Sequence, residues 1–349
     1  IPSAFIGRRR GHLHEIADQL GTLKSLVKWA ERIERPADAP ALVAEAFRQA
    51  QSGRPGPVAL EIAWDVMADS EVVPDPIAGV RDAPPKPDPA MISHAANLIR
   101  AARMPIIMTG SGAQHASAEI TRLAETIGAP VAAFRGGRGV VDEDGPWGLS
   151  SYAAFRLYRD CDLVIAIGTR LEMPTMRWGN MMQVATGLDG GRKLIRIDID
   201  PAEMTRLFAD AGMVADSAEA TADLVDALAG HRGHDNRAAI ATARAEAAEA
   251  IRVVQPEMDH LDVIRDLLPA DGILVEELCQ AGFASYFGYP VHQPRTYVST
   301  GFQGTLGFGF QTALGVKVAH PDRDVVSITG DGGFMFGVQE LATAVQYGI

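Results

Sequence analysis

Cysteine is almost missing from this chain: Cys161 and Cys279 are the two in 349 residues. That excludes a dense disulfide framework and implies a reducing compartment, the cytoplasm. Positive charge is also in short supply. Lys and Arg number 32 against 44 Asp and Glu, a formal net charge of -12. The densest basic run, Arg8-Arg9-Arg10, is too short to track a phosphate backbone, so no nucleic-acid partner is expected. No apolar run reaches the roughly 18 residues of a membrane span, so no membrane role is expected either. No secretory signal opens the sequence. Its start, "IPSAFIG", lacks an initiator Met and reads as the inside of a longer protein.

What is present is a chain 47% hydrophobic with 35 glycines and 21 prolines, enough for two or three cores. The spacing of Leu42, Val43, Ala46, Phe47 and Ala50 predicts a helix over 37–52 with one apolar face. "GRPGP" then breaks the chain, and "VALEI" follows as a short strand. Residues 1–67 therefore read as the tail of an α/β domain whose earlier strands lie upstream. Six prolines between 68 and 90 mark a linker. Residues 91–229 form a second α/β domain, with strands predicted at "PIIMT" (105–109), "PVAAF", "DLVIAIG" (162–168) and "LIRIDI" (194–199). Such nearly continuous apolar strands belong to a parallel sheet covered by helices on both faces. Residues 230–260, polar and Ala-rich, read as a linker carrying an exposed helix. A third domain starts near Leu261 and runs through 349, with strands "GILVEE" and "DVVSIT".

The chemistry concentrates near the end. "VVSIT" delivers Gly330-Asp331-Gly332-Gly333 to the C-terminal edge of a sheet, where α/β proteins bind ligands. Glycines let backbone N–H groups approach an anion, and a following helix points its positive end at it. A carboxylate beside phosphate oxygens needs a cation between them, and Mg²⁺, a hard ion preferring oxygen, supplies one. Asp331 is thus a candidate metal ligand, with a diphosphate as the shared partner; a plain tight turn is the competing reading. Upstream, "GFQGTLGFGF" sets Gly301, Gly304, Gly307 and Gly309 around Leu306 and Phe308. Four glycines cost chain entropy, which close packing against a cofactor would explain. A closely packed strand-to-helix connection is the alternative. "GSGAQHA" (110–116) is either a helix-start turn or a nucleotide site, since a lone G-x-G is weak.

Other polar residues carry plainer readings. His115 reads as a helix-start residue, and His292 and His320, beside prolines, as surface or capping groups. His12 and His14 lack metal-ligand spacing. Cys279 reads as a buried inert thiol. The Met/Trp-rich "RLEMPTMRWGNMM" (170–182) lines either a pocket or a subunit contact.

"VSTGFQGTLGFGFQTALGVKVAHPDRDVVSITGDGGFMFGVQELATAVQYGI" resembles thiamine-diphosphate-dependent enzymes of the acetolactate synthase and 2-keto acid decarboxylase superfamily. "SGRPGPVALEIAWDV" resembles the end of that family's pyrimidine-binding domain, and "CDLVIAIGTRLE" with "KLIRIDIDPAEM" its middle domain. The resemblance implies a multi-domain α/β fold: a partial pyrimidine domain, a middle domain and a partial diphosphate-binding domain, with helix-covered parallel sheets. It implies that Asp331 binds Mg²⁺, that Gly330, Gly332 and Gly333 hold diphosphate, that Gln280 and Gly304 lie against the cofactor, and that Leu306 props thiamine into a bent conformation. A C2 ylide would then attack a 2-keto acid, CO₂ would leave, and an enamine would be carried onward, to ligation or to release. Hydrolysis or acyl transfer with the same cofactor, and an inactive homologue, are the other outcomes of such a scaffold. The activating glutamate of the family is expected upstream of residue 1, and the asparagine that closes its metal motif beyond residue 349. Arg170 matches an arginine of FAD-binding middle domains, with a salt bridge or helix cap the equal alternative; Asp198 and Asp200, at a strand end, either accept ribose hydroxyls or cap the next helix, so FAD stays open. It also implies a homodimer or homotetramer. Gln311 stands where family members commonly carry proline.

Overall fold

The computed structural model describes residues 1–178 and 187–349. The chain divides into two compact units, Ile1–Pro85 and Lys86–Ile349.

In the first unit, β1 (Trp29–Ile33) and β2 (Val58–Ile62) pair in parallel, with Trp29 opposite Val58 and Ile33 opposite Ile62. The helix Ala39–Gln51 connects them, as parallel strands require a crossover. Its C-terminal carbonyls are gathered by Lys28, whose Nζ donates to Gln49 O and Ser52 O. The helix lies within the predicted span, but its apolar face is only partly covered: Ala46 is buried, while Val43 and Phe47 are exposed. A two-stranded sheet is too narrow to cover a full helical stripe. β1, "WAERI", was not expected from the sequence. Its Glu31 and Arg32 interrupt the apolar pattern, and Arg32 forms an ion pair with Glu61 on β2.

The second unit holds two parallel sheets. The larger has six strands in the order β5-β4-β3-β6-β7-β8: β3 (Pro105–Thr109), β4 (Val131–Ala133), β5 (Gly148–Ser150), β6 (Leu163–Ile167), β7 (Lys193–Asp198) and β8 (Ala211–Val214). Every residue of β3 and β6 is buried. Alternation along the strands divides their side chains between two cores. Ile107, Ile165 and Ile195 join Ile99, Ile120, Leu123 and Leu224 on one face. Ile106, Met108, Val164 and Leu194 meet Tyr158, Leu171 and Leu207 on the other. This is the doubly covered parallel sheet that the apolar runs predict. The short edge strands β5 and β8 were not foreseen, because runs of three and four residues carry too little periodicity.

The helix Arg237–Ile251 corrects the expectation of an exposed linker helix. Ile240, Ala243 and Ala247 are buried, and Arg244 donates to the carbonyls of Gly145 and Gly148. A stripe made mostly of alanine buries a helix face without raising its hydrophobicity, which is why composition alone reads as solvent-exposed. Of the Met/Trp-rich segment, residues 179–182 lie outside the described residues.

The smaller sheet has the order β10-β9-β11, with β9 (Ile273–Glu276), β10 (Tyr297–Val298) and β11 (Val325–Ile328) all parallel. A loop after β4 fastens the larger sheet to it. Arg138, fully buried, donates to both carboxylate oxygens of Glu143 at 2.9 and 2.6 Å and to Ser285 O at 2.8 Å. It also donates to Tyr289 O and lies over the Tyr297 ring. Glu143 and Val291 exchange two further bonds, both at 3.1 Å. Burial works against the Arg138 charge, but the Glu143 carboxylate outweighs it and raises the guanidinium pKa. Among the described residues no helix is long and apolar enough to cross a membrane.

Removing one partner of such a pair leaves a buried charge without compensation. Glu143→Ala should therefore lower unfolding stability by about 3–5 kcal/mol, read from urea denaturation. A loss under about 1 kcal/mol, the scale of a surface pair, would refute this account of the fastening.

Candidate active site

Parallel pairing of β9 with β11 aligns Ile273 with Val325 and Glu276 with Ile328. Both strands then release their chains at the same sheet edge. β9 ends at Glu276, with Glu277 the next residue, and β11 leads through Thr329 into Gly330-Asp331-Gly332-Gly333. The Gly-rich loop 299–309, entered from β10, crosses the same edge before the helix Gly309–Ala319.

Glu277 lies at the centre of this edge. It is 1% exposed. One carboxylate oxygen accepts from Gly307 N at 2.6 Å; the other accepts from Gly309 N and from Thr329 Oγ1, both at 2.8 Å. Its own N–H donates to Ile328 O at 3.0 Å. Gly333 packs directly on it, since a Cβ there would stand 1.9 Å from Glu277 Oε1. Only glycine allows that approach.

Glu276, completely buried, holds the other end of the loop. Its Oε1 accepts from Tyr286 OH at 2.9 Å and Thr300 N at 3.2 Å, while Oε2 has no hydrogen-bond partner among the described residues. Burial raises its carboxyl pKa, against the hydrogen bonds and the nearby Arg135 charge that lower it. Arg135 reaches over from the loop after β4. It donates to Gly301 O, stands 3.7 Å from Glu172 in an ion pair, and lies against the Phe134 and Tyr286 rings. Sequence reasoning passed over all three residues. The available signal was a pair of acidic residues ending an otherwise apolar strand, because Glu is rarely buried without partners.

The candidate residues assemble here. Gly301, Gly304 and Gly307 all have positive φ, of +70°, +61° and +76°, so the loop needs its glycines for backbone shape. Leu306, between two of them, is 52% exposed and is presented by the loop backbone. Asp331 opens the short helix Asp331–Met335, whose N-cap is Gly330; it is exposed, and its Oδ1 accepts from Gly332 N at 2.8 Å. Nothing lies within 4 Å of where a Gly332 Cβ would point, so that side of the turn is open. Gly330 abuts Cys279, with 3.2 Å between its would-be Cβ and the Cys279 Cβ. Cys279 is the N-cap of the helix Gln280–Gly288: its Sγ accepts from Gly282 N at 3.3 Å. Burial raises its thiol pKa, in keeping with an inert thiol. Gln280, at the first position of that helix, is exposed next to the turn. Gln311 fills the space over Gly337, where a Cβ would stand 2.2 Å from its side chain.

The remaining candidates lie in loops around the six-stranded sheet, except His292, which precedes β10 of the smaller sheet. His115 Nε2 pairs with Asp216 Oδ2 at 2.9 Å, and Asp216 caps the helix Ser217–Ala227 through Ala218 N and Glu219 N. His292 pairs with Asp142 at 2.8 Å. Asp198 and Asp200 accept from Asp200 N and Ala202 N, both at 3.0 Å. Burial raises the Asp198 pKa. The Arg170 guanidinium lies 4.3 Å over the Phe302 ring. Among the described residues no three His, Cys, Asp or Glu side chains cluster as a metal cage.

Two family models match this chain. The thiamine pyrophosphate enzyme central domain covers residues 92–224, and the thiamine pyrophosphate enzyme C-terminal TPP binding domain covers residues 279–349. The chain belongs to the thiamine pyrophosphate enzymes. The second match includes the GDGG turn, the Leu306 loop and Gln280 together. Among similar proteins, a probable acetolactate synthase large subunit of Methanocaldococcus jannaschii is 33% identical over 100% of this chain and 62% of its own length. A probable 2-ketoarginine decarboxylase of Pseudomonas aeruginosa is 30% identical over 98% of this chain and 62% of its own length. An acetolactate synthase of Arthrospira platensis is 31% identical over 95% of this chain and 60% of its own length. The chain thus spans about three fifths of the length of these relatives. The resemblance read from the motifs and the α/β fold class both stand.

The two turn glycines should separate in mutagenesis. Gly333→Ala drives a methyl into Glu277 and should cost about 1–3 kcal/mol, the scale of overpacking. Gly332→Ala, with open space beside it, should stay within about 0.5 kcal/mol of the parent, as exposed sites do. Thermal melts of the two variants check this; equal losses would contradict the packing described.

Proposed function

We propose that the protein acts on 2-keto acids with thiamine diphosphate and Mg²⁺, and that it ligates the acyl fragment to a second carbonyl acceptor. The observation that carries this reading is the convergence of the open Gly330–Gly333 turn, the exposed Asp331 carboxylate and the exposed Leu306 on one sheet edge. The donor set fits a metal held jointly with a diphosphate. Mg²⁺ usually takes one or two carboxylates, with phosphate oxygens and water completing its shell. Asp331 supplies the one carboxylate, and Gly332 and Gly333 present backbone to the anion. Gly330, Gly304 and Gln280 border the same space, and Leu306 supports the thiamine body from the loop. When bound, the cofactor stores the electron pair left by decarboxylation. The protein's share is to orient it and keep water away.

Decarboxylation without ligation is the second reading, favoured by the relative named as a 2-ketoarginine decarboxylase. Flavin has little to recommend it at the larger sheet's edge. Gly110 and Gly112 pack there against Gly168, with a Gly110 Cβ direction 2.2 Å from Gly168 O, and Asp198 and Asp200 brace their own turn. The same reading treats 1–67, 91–229 and 261–349 as pyrimidine, middle and diphosphate domains, joined at 68–90 and 230–260. It makes the protein a cytoplasmic homodimer or homotetramer.

Calorimetric titration of thiamine diphosphate into the intact protein, with and without Mg²⁺, tests the reading. Binding should require Mg²⁺ and weaken by about tenfold or more in Asp331→Ala, the loss of one charged contact. Absence of binding to the parent protein refutes it. Product identification from a panel of 2-keto acids then separates ligation from simple decarboxylation.

A further inference from the structure

We infer that Glu277 is a positioning residue of this site: it ties the Leu306 loop to the Gly330–Gly333 turn, and cofactor affinity depends on it through them. The inference rests on the proposed function and deepens it.

The bonds of Glu277 are all to groups that carry the site. Gly307 N follows Leu306, Gly309 N opens the helix Gly309–Ala319, and Thr329 Oγ1 precedes Gly330. Gly333 covers the carboxylate from above. No arginine or lysine pairs with it among the described residues. The charge is held entirely by N–H and O–H donors, each of which must point inward. A buried carboxylate in that position fixes three backbones at once, because an unmet oxygen or an unmet donor would cost its desolvation. Leu306 itself is half exposed, so its placement depends on these bonds more than on side-chain packing.

Glutamine is nearly isosteric with glutamate, but its amide nitrogen only donates, as do Gly307 N and Gly309 N, while the Thr329 hydroxyl can turn to accept. If the NH₂ faces Gly309 N and Thr329 Oγ1, the Gly309 bond is lost. If it faces Gly307 N, the bond beside Leu306 is lost. Either rotamer therefore releases one backbone N–H of the loop that presents Leu306. Thr329→Val removes one donor and leaves the carboxylate and both backbone bonds.

The experiment compares E277Q and T329V with the parent in the intact protein, using thiamine diphosphate with Mg²⁺ as the probe and the cofactor-free melting temperature as the control. E277Q should bind the cofactor about tenfold or more weakly, with T329V intermediate. Cofactor-free melting should fall in E277Q, where a buried donor is left unmet, and less in T329V. The KM for the 2-keto acid at saturating cofactor should be unchanged, a split that a merely structural role would not produce. Cofactor affinity in E277Q within about twofold of the parent overturns the inference while leaving the proposed function intact. Should E277Q fail to fold, T329V decides: weaker binding by the folded variant at an unchanged KM for the 2-keto acid supports the role, and unchanged affinity overturns it. A parent that binds no cofactor takes down the proposed function, and this inference with it.

Discussion

The buried carboxylate of Glu277 is the constraint on which the rest of this sheet edge depends. A negative charge in a protein interior is tolerated only when every lone pair direction is met. Here the donors come from three separate segments: the Gly-rich loop, the start of the helix Gly309–Ala319, and the end of β11. The same side chain leaves no room for a Cβ at Gly333. Glycine in the turn therefore serves packing toward the protein on one side and leaves open space on the other. The two demands fall on neighbouring residues, Gly333 facing inward and Gly332 facing open space.

The edge is useful only if the two sheets hold a fixed relation, and the Arg138–Glu143 pair provides it. Arg138 comes from the loop after β4 and bonds the carbonyls of Ser285 and Tyr289, which belong to the smaller sheet's surroundings. Arg135, three residues earlier, reaches Gly301 O. One loop of the larger sheet thus both fastens the smaller sheet and steadies the start of the Leu306 loop. A guanidinium suits this work, since its planar fork bonds several fixed acceptors while retaining its charge.

Much of this was legible in the sequence. The strands at 105–109, 162–168 and 194–199 show as apolar runs because both faces of their sheet are covered, and the GDGG turn shows because glycine repeats at such density are costly. What escaped notice has a common physical character. β1 carries Glu31 and Arg32, whose ionic partners lie elsewhere in the sequence, so the strand reads as polar. The helix Arg237–Ile251 buries alanines, which leave little trace in hydropathy. Glu277 acts entirely through contacts separated by some 30 to 52 positions along the chain, and no local pattern announces such a residue. The signal that existed, acidic residues ending a buried strand, identifies a buried charge but not its partners.

The charge balance of the edge adds an argument for the proposed cation. Glu276, Glu277 and Asp331 place three carboxyl groups around the turn, with Arg135 bonded to Gly301 O of the loop and Arg170 over its Phe302 ring. Adding a diphosphate to such surroundings would bring further negative charge to the exposed Asp331. The interior carboxyls can be accommodated without a counter-ion: Glu277 is saturated by donors, and burial favours the protonated form of Glu276. Asp331 differs. Among the described residues its carboxylate accepts from the neighbouring Gly332 N alone and is otherwise exposed, so its repulsion of a diphosphate has no remedy there. A divalent ion between them converts that repulsion into two attractions. Of the three carboxyl groups, the exposed one is therefore the one the proposed cation would meet, and the two buried ones hold the backbone around it.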